Sequence, residues 1–168
     1  MRRHRLLTYI APVLTALLLS LTACDDTTFG SSVPRLSVNI RIDLRQGPFV
    51  TFTPENTSAY VTANREGFYL NGKYAAPALD TDYFGYGGVL IYVSMNGYNA
   101  YDLACPYCAA HGYCHTCAVN SSSAICPVCG EEYQLWAGGM AYPTKGITRE
   151  PLLQLPLTVT DYYIIVRQ

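Results

Sequence analysis

The chain has 168 residues, a formal net charge of −1 and a residue content that is half hydrophobic. With no basic block it lacks the electrostatic footprint of a nucleic-acid-binding protein, and no nucleic-acid partner is expected. Its seven cysteines are unevenly placed: Cys24 follows an N-terminal apolar stretch, and the other six fall between positions 105 and 129.

Met1–Arg5 is basic and Leu6–Leu21 carries no charge. The stretch is shorter than the roughly 18–20 apolar residues of a spanning helix. It ends in Leu21-Thr22-Ala23-Cys24. A basic start, a short apolar centre and small residues before a cleavage point predict an export signal over 1–23. Leu21–Cys24 resembles the lipobox of bacterial lipoproteins. That resemblance implies an acylated Cys24 as the first mature residue and a lipid anchor at the membrane. It also implies a place in the bacterial cell envelope, periplasmic or on the outer-membrane surface. Residues 24–35, with their Asp, Thr, Ser, Gly and Pro, read as a lipidated tether. Residues 36–168 make one domain of ordinary size, large enough to bury a core without covalent staples.

The domain reads as β throughout. Val38, Ile40, Ile42 and Leu44 alternate with polar residues, the period of a half-buried strand. Phe49–Thr53 and Ser58–Thr62 are β-rich, with a turn at Pro54–Asn56. Residues 64–87, rich in Tyr, Gly and Asn, read as a long irregular excursion. Gly88–Ser94 and Tyr98–Leu103 flank Asn96-Gly97, a strong hairpin signal. Short strands are expected at Ala124-Ile125 and Glu132–Trp136, and longer ones at Leu153–Val159 and Tyr162–Val166. No helical period is long enough to predict a helix. Closely spaced short strands indicate an all-β sandwich or barrel, and the 15 tyrosines fit strand packing.

Cys105-x2-Cys108 and Cys126-x2-Cys129 are separated by an insert of the length seen in tetrahedral thiolate sites. Two tight turns, each offering two sulfurs, complete a tetrahedron around one ion. Pro106 and Pro127 preset the turns, and Gly130 supplies a position tolerant of positive φ. Spacing alone leaves three arrangements open: zinc, an iron–sulfur centre, or disulfides, which an oxidising compartment favours. Cys114 and Cys117 lie inside the insert, as a local disulfide or a second metal pair, with His111 and His115 as possible minor ligands. Cys114-x2-Cys117 has the spacing of a redox centre, but that chemistry sits at a helix start and no helix is expected here. No nucleophile–base–acid set stands out, so an enzymatic role is not expected.

Gly88–Val93, Asn96-Gly97, Ala100–Pro106, Cys126–Tyr133 and Leu152–Val166 together resemble the Rieske domain. The resemblance covers roughly residues 86–168. It implies an antiparallel β-sandwich whose two metal-binding hairpin loops, within 104–131, form a rubredoxin-like or zinc-ribbon-like subdomain. Cys105 falls on the first-loop cysteine; Cys126, Cys129, Gly130 and Tyr133 fall on the second-loop cysteine, histidine, glycine and aromatic. Tyr107 occupies the first histidine position, with Cys108 beside it as substitute. Glu131 replaces a serine that donates a hydrogen bond, and Gly146–Thr148 stands where a proline loop belongs. The implied ligands are therefore Cys105, Cys108, Cys126 and Cys129, with Gly130, Glu131 and Tyr133 around them.

Replacing histidines by thiolates moves an iron–sulfur potential from about −150 to +300 mV toward about −400 mV, and Glu131 and Glu132 disfavour an added electron further. Zinc is preferred, since it suits all-sulfur tetrahedra without redox cycling and is collected after an unfolded chain crosses the membrane. The expected protein is a membrane-anchored lipoprotein with a non-catalytic binding or structural role toward another envelope protein. The alternatives are a low-potential [2Fe–2S] electron carrier with a redox partner, and a metal-free, disulfide-stabilised β domain.

Overall fold

The computed structural model describes residues 30–54, 59–136 and 139–168. The expected export signal and the acylation site Cys24 lie outside the described residues. Among the described residues, no helix is long and apolar enough to cross a membrane.

The described residues are mostly β, with thirteen strands in three antiparallel sheets. The first sheet has β1 (Val38–Asp43) between β5 (Tyr83–Phe84) and β13 (Tyr163–Arg167), with β12 (Leu157–Val159) outside β13. Ile40 pairs with Val166 and Ile42 with Ile164. The second sheet contains β2 (Tyr60–Asn64), β3 (Gly67–Leu70), β4 (Lys73–Ala76), β6 (Val89–Ser94) and β7 (Gly97–Asp102), in the order β4-β3-β2-β6-β7. The third contains β8 (Ala118–Asn120), β9 (Ser123–Ile125), β10 (Glu132–Gln134) and β11 (Pro143–Lys145), in the order β11-β10-β9-β8.

Strand β6 explains how the sheets stack. All of its residues are buried, because each face of the strand meets a different core. Val89, Ile91 and Val93 pack with Ile40, Ile42, Ile164 and Val166 of the first sheet. Leu90 and Tyr92 pack with Tyr133, Leu135 and the buried cysteines of the third-sheet region. A strand covered on both faces needs a continuous apolar run, and Val89–Val93 supplies one. Each fully buried Val, Leu or Ile contributes about 1.5–3 kcal/mol.

The structure departs from the sequence reading in several segments. Phe49–Thr53 is not a strand: Gly47–Thr51 forms a 3-10 turn with Pro48 at its start, and Phe49 still reaches the first core. Proline's fixed φ suits that turn and removes a ladder donor. The supposedly irregular 64–87 segment contains the β3–β4 hairpin, reversed at Asn71-Gly72 with φ of 49° and 77°, the left-handed pair that a type I′ turn requires. A short helix, α1 (Pro106–Ala110), occupies the first cysteine segment. Finally, the segment read as tether docks on the domain from Ser31. Val33 is buried with Ala104 and Leu153, and Ser31 and Ser32 bond to the Glu150 carboxylate.

Candidate metal centre

The site begins where β7 ends. Asp102 is buried, and its carboxylate accepts the backbone N–H groups of Tyr86 at 2.7 Å, Gly87 at 2.8 Å and Ala104 at 2.8 Å. Burial pushes its pKa up, and the three amides pull it back. This clasp joins the loop before β6 to the chain entering the cysteines. It requires glycine at 87, where a Cβ would collide with the backbone of Ala104. The fold thus fixes the direction in which Cys105 leaves the sheet.

Cys105 is the N-cap of α1 and Cys108 lies one turn on, with Ala109 N–H donating to Cys105 O at 2.9 Å. The first cysteine pair is therefore presented by a helical turn, not by the expected hairpin tip. Pro106 favours that outcome, since proline's φ suits the first helical position and its missing N–H is not needed there. The insert then folds back: Cys105 N–H donates to His115 O at 2.9 Å and Cys117 N–H to Leu103 O at 2.8 Å. The second pair occupies the connection between β9 and β10. Cys126 N–H donates to Glu131 O at 2.9 Å and Gly130 N–H to Cys126 O at 3.0 Å. Gly130 has the anticipated positive φ, 75°.

The two pairs meet. The four sulfurs of Cys105, Cys108, Cys126 and Cys129 all lie within 4.8 Å of one another. Cys105 Sγ is 3.5 Å from Cys129 Sγ, and Cys108 Sγ is 3.8 Å from Cys126 Sγ. An ion about 2.3 Å from each sulfur of a tetrahedron sets them roughly 3.8 Å apart, so the donor set fits one metal ion. Three of the four are buried and Cys129 is half-buried.

Burial pushes the Cys108 thiol up and raises Cys129 to about 11. Burial also acts on Cys126, but the backbone N–H groups of Cys129 and Val128, together with the side chains of Cys129 and Cys105, outweigh it and bring that thiol below its usual value. Four thiolates without a cation are unfavourable in this apolar setting; a cation that displaces the thiol protons removes that penalty.

The remaining candidates take other positions. All six described cysteines are free thiols, and Cys114 is not bridged to Cys117. Cys117 is buried in the same core as the four sulfurs, and burial raises its pKa. Cys114 is exposed, its S–H donating to Tyr86 O at 3.4 Å. His111 Nδ1 is 2.7 Å from Tyr107 O, and its ring packs on Tyr107. His115 stacks against Tyr113. Neither histidine belongs to the sulfur group.

Tyr133 Oη lies 3.6 Å from Cys105 Sγ, and the side chain is fully buried. Glu131, expected to act electrostatically beside the sulfurs, is buried with its carboxylate turned into another loop. It accepts the backbone N–H of Ile147 and, at 3.3 Å, that of Thr148. It also fills the space over Gly146, where a Cβ would collide with it. The 146–148 loop is thereby tied to the second cysteine turn. The roles of Asp102 and Glu131 have no motif to announce them, because their partners are backbone amides. For Asp102, the one signal was the dense glycine run 85–88. Compared with known protein families, characterised proteins and solved structures, the chain finds no match.

Proposed function

We propose that the chain is a lipid-anchored envelope protein whose β domain holds one structural zinc ion on Cys105, Cys108, Cys126 and Cys129. The observation that carries this reading is the mutual approach of all four sulfurs within 4.8 Å. Two irons joined by bridging sulfides would set two of the sulfurs farther from the other two than a single ion does, so the compact set favours a mononuclear centre. Zinc is the ion that suits four thiolates without redox cycling. It would lock α1 to the β9–β10 connection, and so hold the insert and the third sheet against the central one. The domain then serves as a rigid, non-catalytic binding module at the membrane, facing an envelope protein.

A Rieske-like ancestry is part of the proposal. It is supported by cysteine segments that follow the β6–β7 hairpin and interrupt β9–β10, by Tyr133 beside Cys105, and by a third loop held against the second by Glu131. The helical first segment is the departure from that pattern.

Elemental analysis of the native protein with a thiol count tests the reading. A colourless protein with one zinc per chain is expected. Absorption at about 400–550 nm that bleaches on reduction, with two irons, would replace zinc by an electron-carrying cluster. A metal-free, thiol-free protein would leave only a disulfide-stabilised β domain.

A further inference from the structure

The segment 142–150, strand β11 with the loop that follows it, combines features that the metal centre does not use. Ile147 is 79% exposed and Tyr142 is 53% exposed. Lys145 and Arg149 flank Ile147 and are exposed. Among the described residues, the one ion pair joins Arg45 and Asp43, so neither of these cations is neutralised by a carboxylate. An apolar tip between two cations is the composition that enters an anionic headgroup layer: the side chain reaches the acyl boundary while the cations meet phosphates.

The same loop holds the start of the domain. Glu150 accepts three hydrogen bonds from the chain entering it: Ser31 Oγ at 2.9 Å, Ser32 N at 2.6 Å and Ser32 Oγ at 2.7 Å. Val33 is buried directly after. From Cys24 to Ser31 is seven residue steps, which span at most about 25 Å when fully extended. A domain of this length is broader than that, with a radius of gyration of about 14 Å. An anchor at Cys24 therefore draws the 142–150 end, not the opposite end, toward the membrane.

The opposite end is identifiable. Ser37 O accepts from Gly85 N, beside the Asp102 clasp, so β1 starts at the cysteine end. It then runs about 17 Å to Asp43, which pairs with Tyr163. The turn at Tyr162 is thus remote from Glu150.

We propose that segment 142–150 is a membrane-contact surface: Ile147 and Tyr142 enter the interface of an anionic phospholipid bilayer, and Lys145 and Arg149 contact its phosphates. The proposal rests on the acylation of Cys24. Through the Glu131 bonds to Ile147 and Thr148, the loop then places the cysteine centre close to the membrane surface.

The test uses the mature full-length protein purified from membranes and reconstituted into phosphatidylglycerol vesicles with brominated acyl chains. The chain has one tryptophan, so a Trp136→Phe background accepts a reporter at Ile147→Trp or, as control, at Tyr162→Trp. Intact mass reads the acyl groups on Cys24. The Ile147→Trp reporter is expected to shift to the blue and lose most of its intensity to bromine, while the Tyr162→Trp reporter keeps its own. Adding Lys145→Glu and Arg149→Glu is expected to restore most of the lost intensity. An acylated protein whose Ile147→Trp reporter stays unquenched overturns the proposal, as does quenching that ignores the charge reversal. A blue shift without vesicles that grows with protein concentration assigns the surface to a second copy and also overturns it. A mature chain without acyl groups removes the anchor reading, and this proposal falls with it.

Discussion

Tyr133 Oη stands 3.6 Å from Cys105 Sγ, so the strand leaving the second cysteine pair supports the first cysteine of the other. The hydroxyl is the donor whenever Cys105 is a thiolate, and partners of this kind orient ligands and tune the metal. Tyr133→Phe keeps the ring and removes the donor. Zinc affinity, measured by chelator competition, is expected to fall roughly tenfold, the lower end of what loss of an outer partner costs, with far-UV circular dichroism unchanged. Unaltered affinity would remove Tyr133 from the support of the site.

Glu131 makes a second connection, between the cysteine turn and the backbone of Ile147 and Thr148. Glu131→Ala leaves those part-buried amides without their acceptor or forces the loop out, and is expected to destabilise the domain by about 1–3 kcal/mol. Glu131→Gln keeps the volume and one acceptor, and is expected to cost roughly half as much. Hydrogen exchange at the Ile147 and Thr148 amides reads the mechanism: both should exchange faster in the alanine variant. Protection equal to wild type would show that the carboxylate does not hold the loop.

How legible these arrangements were depends on how local their causes are. The β6–β7 hairpin and the alternation of β1 are written in neighbouring residues, and so is the spacing that brings the four cysteines together. The β3–β4 hairpin carries an equally local Asn71-Gly72 signal, yet Lys73 and Tyr74 are exposed on β4, so no alternation accompanied it. Helix α1 is five residues long, too short to show a period. Glu131 and Asp102 act on amides contributed by distant loops, a relation that exists only after the sheets have stacked.

Metal removal is expected to distinguish the two cores. Val38, Ile40, Val61, Ile91 and Ile164 belong to a core without cysteine, whereas Cys105, Cys108 and Cys126 pack with Tyr133 and Leu135 in the other. Chelation is expected to speed hydrogen exchange across residues 105–135 while β1, β2, β6 and β13 stay protected. Cys117→Ala is expected to retain one zinc per chain, because Cys117 shares the core but not the sulfur group; Cys126→Ala is expected to lose it. Global unfolding on chelation would instead show that the centre carries the whole domain.

The remaining prediction concerns alkaline pH. Tyr101 is fully buried and its hydroxyl donates to Gly139 O at 3.2 Å. Burial, with a smaller contribution from Tyr92, pushes its pKa to about 12 from an ordinary value of 10.0. Between those values the unfolded chain releases the Tyr101 proton while the folded chain keeps it, so the folded state binds more protons and stability falls as pH rises. The contribution is fully present below pH 10 and lost as pH passes about 12. Two units correspond to about 2.7 kcal/mol at most. Tyr101→Phe cannot titrate and loses one hydrogen bond, a pH-independent offset of about 1 kcal/mol. The stability of wild type relative to this variant, from denaturant midpoints between pH 9 and 12, should start in favour of wild type and decline steadily above pH 10. A difference that stays flat across that range would mean the tyrosine ionises in the folded protein as freely as in the unfolded chain.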